Sequence, residues 1–141
     1  MLVISIFIFV TSCWFIQADD IEEFYYKEID NKYCVETKFV ALDVPGDIPK
    51  LTLVIWSDGV KLYESPAMDV VPSGEHSYII QSGNSLKIYK EFMNKVIPKC
   101  EGKIKAGDLS WFDNTPDDFT INSKVGGNPA TLIWGFCHDD D

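Results

Sequence analysis

The feature that most constrains the fold of this chain is a series of short runs separated by turn residues. Apolar and polar residues alternate in residues 34–42, and residues 50–56 are dense in β-branched and aromatic side chains. Gly and Pro lie between these runs, in residues 44–49. The Ser-Asp-Gly sequence at residues 57–59 is a tight-turn signal, after which residues 60–64 fit a hairpin partner. This pattern predicts strands that each have one buried face.

The second half of the chain repeats the pattern. Residues 76–81, 118–125 and 130–137 are further strand candidates, and residues 103–104 and 109–112 are shorter ones. Runs this short, about 8–12 residues apart, are typical of an antiparallel β-sandwich or barrel. We therefore expect an all-β fold, an antiparallel β-sandwich of about seven to eight short strands with at most one short helix.

The secondary structure of two segments is harder to predict from the sequence. Residues 85–92 alternate as a strand does, but the continuation at residues 92–98 also fits one helical turn that Pro98 stops. We predict a strand for residues 85–92. Residues 66–74 are rich in turn formers and are predicted to be a loop.

The N-terminus predicts a secreted protein. Residues 2–16 are uncharged and apolar, and Gln17 and Ala18 lead directly into two aspartates. This stretch is shorter than the roughly twenty residues that a spanning helix needs, and it is typical of a secretory signal peptide. We expect residues 1–18 to be the signal peptide and residues 19–141 to be a single secreted domain. An uncleaved N-terminal anchor is the alternative.

Cysteine usage follows from secretion. Cys13 would leave with the signal peptide, and Cys34, Cys100 and Cys137 would remain where disulfides form. Three cysteines predict one disulfide and one remaining thiol, which is either buried or available for an intermolecular bridge. A bridge through Cys137 would anchor the C-terminal segment, but the sequence leaves its partner open. No Cys-x-x-Cys pair is present, so the spacing does not predict a zinc site.

The charge balance argues against several partners. The chain carries twelve Lys, no Arg and a formal net charge of −10. Nucleic-acid binding favours clustered Lys and Arg, which this sequence lacks. Docking on anionic lipid by charge alone is disfavoured for the same reason.

Several segments follow one another in an order that resembles a known family. They are residues 40–56 (VALDVPGDIPKLTLVIW), 74–83 (GEHSYIIQSG), 86–89 (LKIY) and 115–127 (TPDDFTINSKVGG). Together they resemble the transthyretin-like proteins that nematodes secrete. The resemblance implies a transthyretin-like sandwich, with an immunoglobulin-like one as the alternative, and an extracellular binding role. Val44 stands where that family has a cysteine, so its disulfide pattern is not carried over.

Catalytic and metal-binding patterns are weak in this sequence. The two histidines, His76 and His138, lie in no recognisable catalytic motif. The acidic segment 113–118 has oxygen ligands at alternating positions but lacks the Gly and distal Glu of a calcium loop, so a solvated turn is favoured. The acidic C-terminal residues are typical of a frayed, soluble end. We expect no catalytic residue, no metal and no cofactor.

Aromatic residues are the better indication of binding. Aromatic residues cluster at residues 24–26, before the first strand, and at residues 111–112, before the acidic turn, and exposed clusters of this kind often form contacts with ligands or proteins. The candidate contacts are Tyr25, Tyr26, Trp111 and Phe112. Core packing is the alternative for them, and it is the expectation for Trp56 and Trp134.

These observations predict a secreted extracellular binding protein that is not an enzyme. Its ligand would be a small apolar molecule or a protein partner. The alternative is a small secreted enzyme or inhibitor on another fold.

Overall fold

The structure is a computed structural model that describes residues 20–138 apart from residues 82 and 118. The predicted signal peptide, residues 1–18, lies outside the described residues. The strands are β1 (Asp20–Glu28), β2 (Tyr33–Leu42), β3 (Lys50–Ser57), β4 (Val60–Glu64), β5 (Met68–Asp69), β6 (Val71–Gly74), β7 (Ser77–Ile79), β8 (Trp111–Asn114), β9 (Thr120–Val125) and β10 (Asn128–Trp134). Helix α1 spans Gly83–Val96 and is followed by a 3-10 turn at Ile97–Lys99.

The strands of the described region form a sheet with the order β4-β3-β2-β1-β10-β9-β8-β7-β6, and β5 pairs separately with β3. Every strand pair is antiparallel. The predicted all-β antiparallel fold with one short helix is therefore confirmed. Its ten strands exceed the seven to eight expected, because β1, β5 and β6 were not predicted.

Two-residue turns connect two of the hairpins. Asp58 and Gly59 join β3 to β4 with φ angles of 51° and 76°. Gly126 and Gly127 join β9 to β10 with φ angles of 65° and 82°. A turn with both central residues at positive φ matches the right-handed twist of the flanking strands. The hairpin predicted from residues 57–64 is confirmed.

The sheet curls until its two ends meet. β5 pairs with β3 near one end of the strand order and β6 pairs with β7 at the other, yet only Val70 separates β5 from β6. Across the interior, the ring of Phe39 on β2 meets that of Phe112 on β8 edge to face, with centroids 5.2 Å apart. The inner faces of the curled sheet therefore pack against one another as two layers do.

The two ends of this interior differ. At the start of β2, the Tyr33 hydroxyl donates to the carbonyl of Lys99, just after helix α1, at 3.1 Å. Helix α1 contributes Phe92 and Val96 to the same buried core, so helical residues fill this end. At the other end of β2, Phe39 and Ala41 border a cavity instead.

The strand predicted for residues 85–92 is wrong, because this segment lies in helix α1. Its buried residues are Ser85, Tyr89, Phe92, Met93 and Val96. Their spacing of four, three, one and three residues follows one face of a helix. The loop predicted for residues 66–74 is also wrong in part, since it contains β5 and β6.

Asp108 connects a loop to the β9–β10 turn. Its side chain is fully buried, and its carboxylate accepts hydrogen bonds from the backbone N–H groups of Lys105, Gly126 and Gly127 at 2.8, 2.7 and 3.0 Å. The hydroxyl of Tyr89 donates to the carbonyl oxygen of Asp108 at 2.6 Å. Asp108 therefore links helix α1, the preceding loop and the last hairpin.

Tyr89 makes the free energy of unfolding depend on pH in the alkaline range. Burial, and after it the Asp108 charge, raises the pKa of Tyr89 from 10.0 to about 12. Because the pKa is higher in the folded protein than in the unfolded chain, the stabilising contribution of Tyr89 is complete below pH 10 and is lost as the pH rises through 12. We expect Tyr89→Phe to flatten the decline in the free energy of unfolding across this range. Urea unfolding of both proteins from pH 9 to 12 measures it, and equal slopes would contradict it.

Residues 135–138, here called the C-terminal strap, cross the outer face of β1, β2 and β3. The N–H of Gly135 donates to the carbonyl of Phe24 at 3.0 Å, and the ring of Phe136 packs on that of Phe24 at 4.5 Å between centroids. The last residue of the strap, His138, lies against the ring of Trp56 on β3 at 5.9 Å.

A disulfide between Cys34 and Cys137 anchors the strap to β2. Cys100 is a buried free thiol, and burial raises its pKa. The predicted arrangement of one disulfide and one remaining thiol is confirmed, and the structure supplies the pairing.

The two tryptophans expected in the core lie elsewhere. Trp134 is 52% exposed and packs on the ring of Phe119 at 5.7 Å, and Trp56 is half-buried beneath the strap. The core expectation for Trp134 is therefore wrong. Within the described part of the chain, no helix is both long enough and apolar enough to cross a membrane.

Candidate functional site

The candidate site is a cavity of about 240 Å³ at the end of the interior that helix α1 does not fill. Strands β1, β2, β7, β8 and β9 and the β2–β3 turn contribute its lining. The described lining residues are Ile21, Glu23, Tyr25, Phe39, Ala41, Asp47, Pro49, Tyr78, Asn114 and Ile121.

Strand alternation turns these side chains inward. On β1 every second residue from Ile21 to Tyr25 lines the cavity, although only Tyr25 is buried, and Ile21 is the register partner of Ala41 on β2. Across the sheet, Asn114 is the register partner of Ile121. Because directly paired residues lie on the same face, the pairing itself builds the wall of the cavity.

The wall is largely aromatic and apolar. Tyr25 is 4% exposed and Phe39 is 6% exposed, and their rings meet edge to face at 6.2 Å between centroids. Tyr78, the register partner of the buried Phe112, is half-buried and adds a third aromatic ring to the lining. A concave surface of this composition is suited to an apolar ligand.

Glu23 supplies a carboxylate to this wall. The Tyr25 hydroxyl donates to Oε2 of Glu23 at 3.3 Å, which orients the carboxylate. The neighbouring Glu22 faces the other side of β1 and pairs with Lys38 at 3.5 Å. Among the described residues, no cationic side chain pairs with Glu23 in this way.

A second carboxylate, that of Asp47, lies in the β2–β3 turn at the cavity. Its Oδ2 accepts a hydrogen bond from the N–H of Leu42 at 2.6 Å. Asp47 therefore holds the turn in place while it adds negative charge to the lining.

The four aromatic residues predicted as contacts do not form one surface. Tyr25 lines the cavity, whereas Tyr26 lies on the outer face beneath Gly135 of the strap. Phe112 is fully buried in the core. Trp111, which alternates with Phe112, is half-buried on the outer face of the sheet.

Trp111 borders a second hollow, which is more open and more polar than the cavity. Its other described lining residues are Lys27, Asp113, Asn122, Pro129, Ala130 and Thr131. Side chains in this hollow already bond to one another, as in the hydrogen bond from the Thr131 hydroxyl to Asn122 at 2.8 Å. The aromatic cavity is the better candidate for a small ligand.

The two histidines lie outside the described cavity lining, whereas Asn114 of the acidic segment 113–118 contributes to it. His76 is exposed in the β6–β7 turn, and His138 lies on Trp56. In the segment 113–118, Asp117 accepts hydrogen bonds from the hydroxyl of Thr115 and the N–H of Phe119, and the first of these is the main cause that lowers its pKa. In the region that the structure describes, no three His, Cys, Asp or Glu side chains are grouped to hold a metal ion.

Sequence reasoning missed Glu23, Phe39 and Tyr78 as members of a site. Phe39 was predicted in a strand, and Tyr78 in another, but nothing in the sequence placed these strands face to face. The alternation of Ile21, Glu23 and Tyr25 was the available signal for a β1 strand with a carboxylate on its inner face.

Comparison of the chain with protein families, with curated proteins and with solved structures finds no match.

Proposed function

We propose that this protein is a secreted binding protein that holds a small molecule with an apolar body in the cavity. The observation that carries the proposal is the aromatic wall around an open space of about 240 Å³ at the end of the interior that helix α1 does not fill. Protein interiors are close-packed, so a space of this size lined by Tyr25, Phe39 and Tyr78 favours an occupant.

The size of the cavity limits the ligand. Sites for drug-sized molecules span roughly 300–1,000 Å³, so this ligand is smaller, on the scale of one aromatic ring with a short side chain. Burying about 150 Å² of apolar ligand surface contributes roughly 4 kcal/mol before polar contacts are added. We expect dissociation constants on the order of 1 mM for simple neutral compounds of this shape.

Two observations support the secreted location in this proposal. The Cys34–Cys137 disulfide is typical of an oxidising compartment, and the predicted signal peptide precedes β1. The proposal assigns binding, because the described lining is dominated by aromatic and apolar side chains. The family resemblance stays a prediction, and the proposal does not rest on it.

The proposal predicts that filling the cavity weakens binding. Ala41 lines the cavity, so Ala41→Phe places a ring in the space that the ligand needs. We expect Ala41→Phe to weaken the binding of 2-phenylethanol at least about tenfold, which corresponds to roughly 1.4 kcal/mol. Ligand-observed NMR titration of both proteins measures the effect.

Ala106→Phe is the matched control, because Ala106 is exposed in a loop away from the described cavity lining. This variant should bind 2-phenylethanol as the original protein does. Equal binding by the Ala41→Phe and Ala106→Phe proteins, both folded by circular dichroism, would overturn the proposed site.

A further inference from the structure

We propose that the cavity selects a small protonated amine with an aromatic or apolar body, a class of ligand that deepens the proposed function and rests on it. The basis is the position of the exposed Glu23 carboxylate, with which no described Lys forms an ion pair, beside three aromatic side chains in one small lining.

The carboxylate of Glu23 is placed to receive a cation. It faces the cavity, the Tyr25 hydroxyl orients it at 3.3 Å, and no described Lys forms an ion pair with it. An ammonium group supplies three N–H donors to such an acceptor, and a charge-assisted hydrogen bond is stronger than a neutral one.

The aromatic wall favours the same ligand. The rings of Tyr25, Phe39 and Tyr78 pack against the apolar body of a ligand, and their negative faces also attract a nearby ammonium group. A carboxylate next to aromatic rings therefore recognises both parts of an arylalkylamine.

The same lining disfavours an anionic ligand. Asp47 adds a second carboxylate, and none of the described residues that line the cavity is basic. The whole chain carries a formal net charge of −10, which attracts cations toward it and repels anions. A neutral ligand gains the apolar contacts but not the ionic one.

Three ligands of matched shape test the charge preference. At pH 7, 2-phenylethylamine is a cation, 2-phenylethanol is neutral and phenylacetate is an anion. We expect the amine to bind about tenfold tighter than the alcohol, and phenylacetate to bind weakest of the three. Raising the salt concentration should narrow the difference between amine and alcohol, because ions screen the carboxylate.

Glu23→Gln tests whether the carboxylate of Glu23 causes the preference for the amine. It should bring the affinity for the amine within about threefold of the affinity of the same variant for the alcohol. Glu22→Gln is the matched control, since Glu22 faces the opposite side of β1 and pairs with Lys38, and it should keep the preference for the amine. The order of the affinities for the amine, the alcohol and phenylacetate is measured on the unsubstituted protein. It therefore tests the charge preference even if a variant fails to fold.

The outcomes separate the two proposals. Equal binding of amine and alcohol by the unsubstituted protein, with Ala41→Phe still blocking both, would overturn the amine preference and leave the binding cavity in place. Failure of all three ligands to bind would overturn the proposed function as well. An amine preference that survives Glu23→Gln in a folded protein would contradict the role of Glu23.

Discussion

Removal of the disulfide by Cys34→Ser together with Cys137→Ser is expected to lower the free energy of unfolding by about 4 kcal/mol. The bridge joins residues that are 103 apart in sequence, so it restricts nearly the whole described chain in the unfolded state. In the folded state it also holds the strap on the outer face of β1 and β2. Without it, the strap keeps weaker contacts, which include the hydrogen bond from the N–H of Gly135 to Phe24 and the one from the N–H of Cys137 to the Glu36 carboxylate at 2.9 Å.

Urea unfolding with and without dithiothreitol measures this effect. Reduction should destabilise the original protein by a similar amount and leave the double variant unchanged, since Cys100 is a buried single thiol. Cys100→Ala is the control that removes a cysteine without touching the bridge, and it should remain sensitive to reduction. Equal stability of the double variant and the original protein would contradict the structural role of the strap.

Asp108→Ala is expected to destabilise the protein by about 3–5 kcal/mol, because it removes a fully buried side chain and leaves three backbone N–H groups without their acceptor. These groups belong to Lys105, Gly126 and Gly127, so the change affects both the loop before β8 and the β9–β10 turn. Chemical denaturation followed by tryptophan fluorescence gives the difference in the free energy of unfolding.

Asp117→Ala is the matched control for this prediction. Asp117 also accepts hydrogen bonds within a loop, from Thr115 and Phe119, but its carboxylate is exposed. Water replaces the lost acceptor there, so the loss of stability should be a small fraction of that in Asp108→Ala. Similar losses for the two variants would contradict the burial argument.

The strand that the sequence marks most clearly is β3, whose buried face is apolar. Leu51, Leu53 and Ile55 alternate along β3 and are all fully buried. The Asp58-Gly59 turn then identifies the hairpin, because few other residue pairs adopt positive φ at both positions. Local signals of this kind determine β2, β3 and β4 without knowledge of the rest of the fold.

In the elements that were missed, either the cavity-lining face carries a polar residue or the apolar residues fit more than one period. β1 presents Glu23 on its inner face, so its alternation does not follow the usual division into apolar inside and polar outside. In helix α1, Leu86, Ile88 and Phe92 fit a period of two as well as a helical period. Packing against the core resolves this ambiguity, since the residues that are buried follow the helical spacing.

The site was not predicted as a whole because it depends on contacts between distant strands. Tyr25 was predicted as a contact, and the structure places it in the cavity lining. Its neighbours there come from β2, β7, β8 and β9, and the curl of the sheet alone brings them together. The disulfide pairing was open for the same reason, because Cys34 and Cys137 meet only where the strap crosses β2.

The central claim is that the cavity holds the ligand, and intermolecular nuclear Overhauser effects between 2-phenylethylamine and the protein test it most directly. The account predicts contacts from the ligand ring to Ile21, Ala41 and Ile121, which line the cavity. Contacts to Trp111 and Thr131 in the outer hollow, with none to Ile21, Ala41 or Ile121, would contradict it.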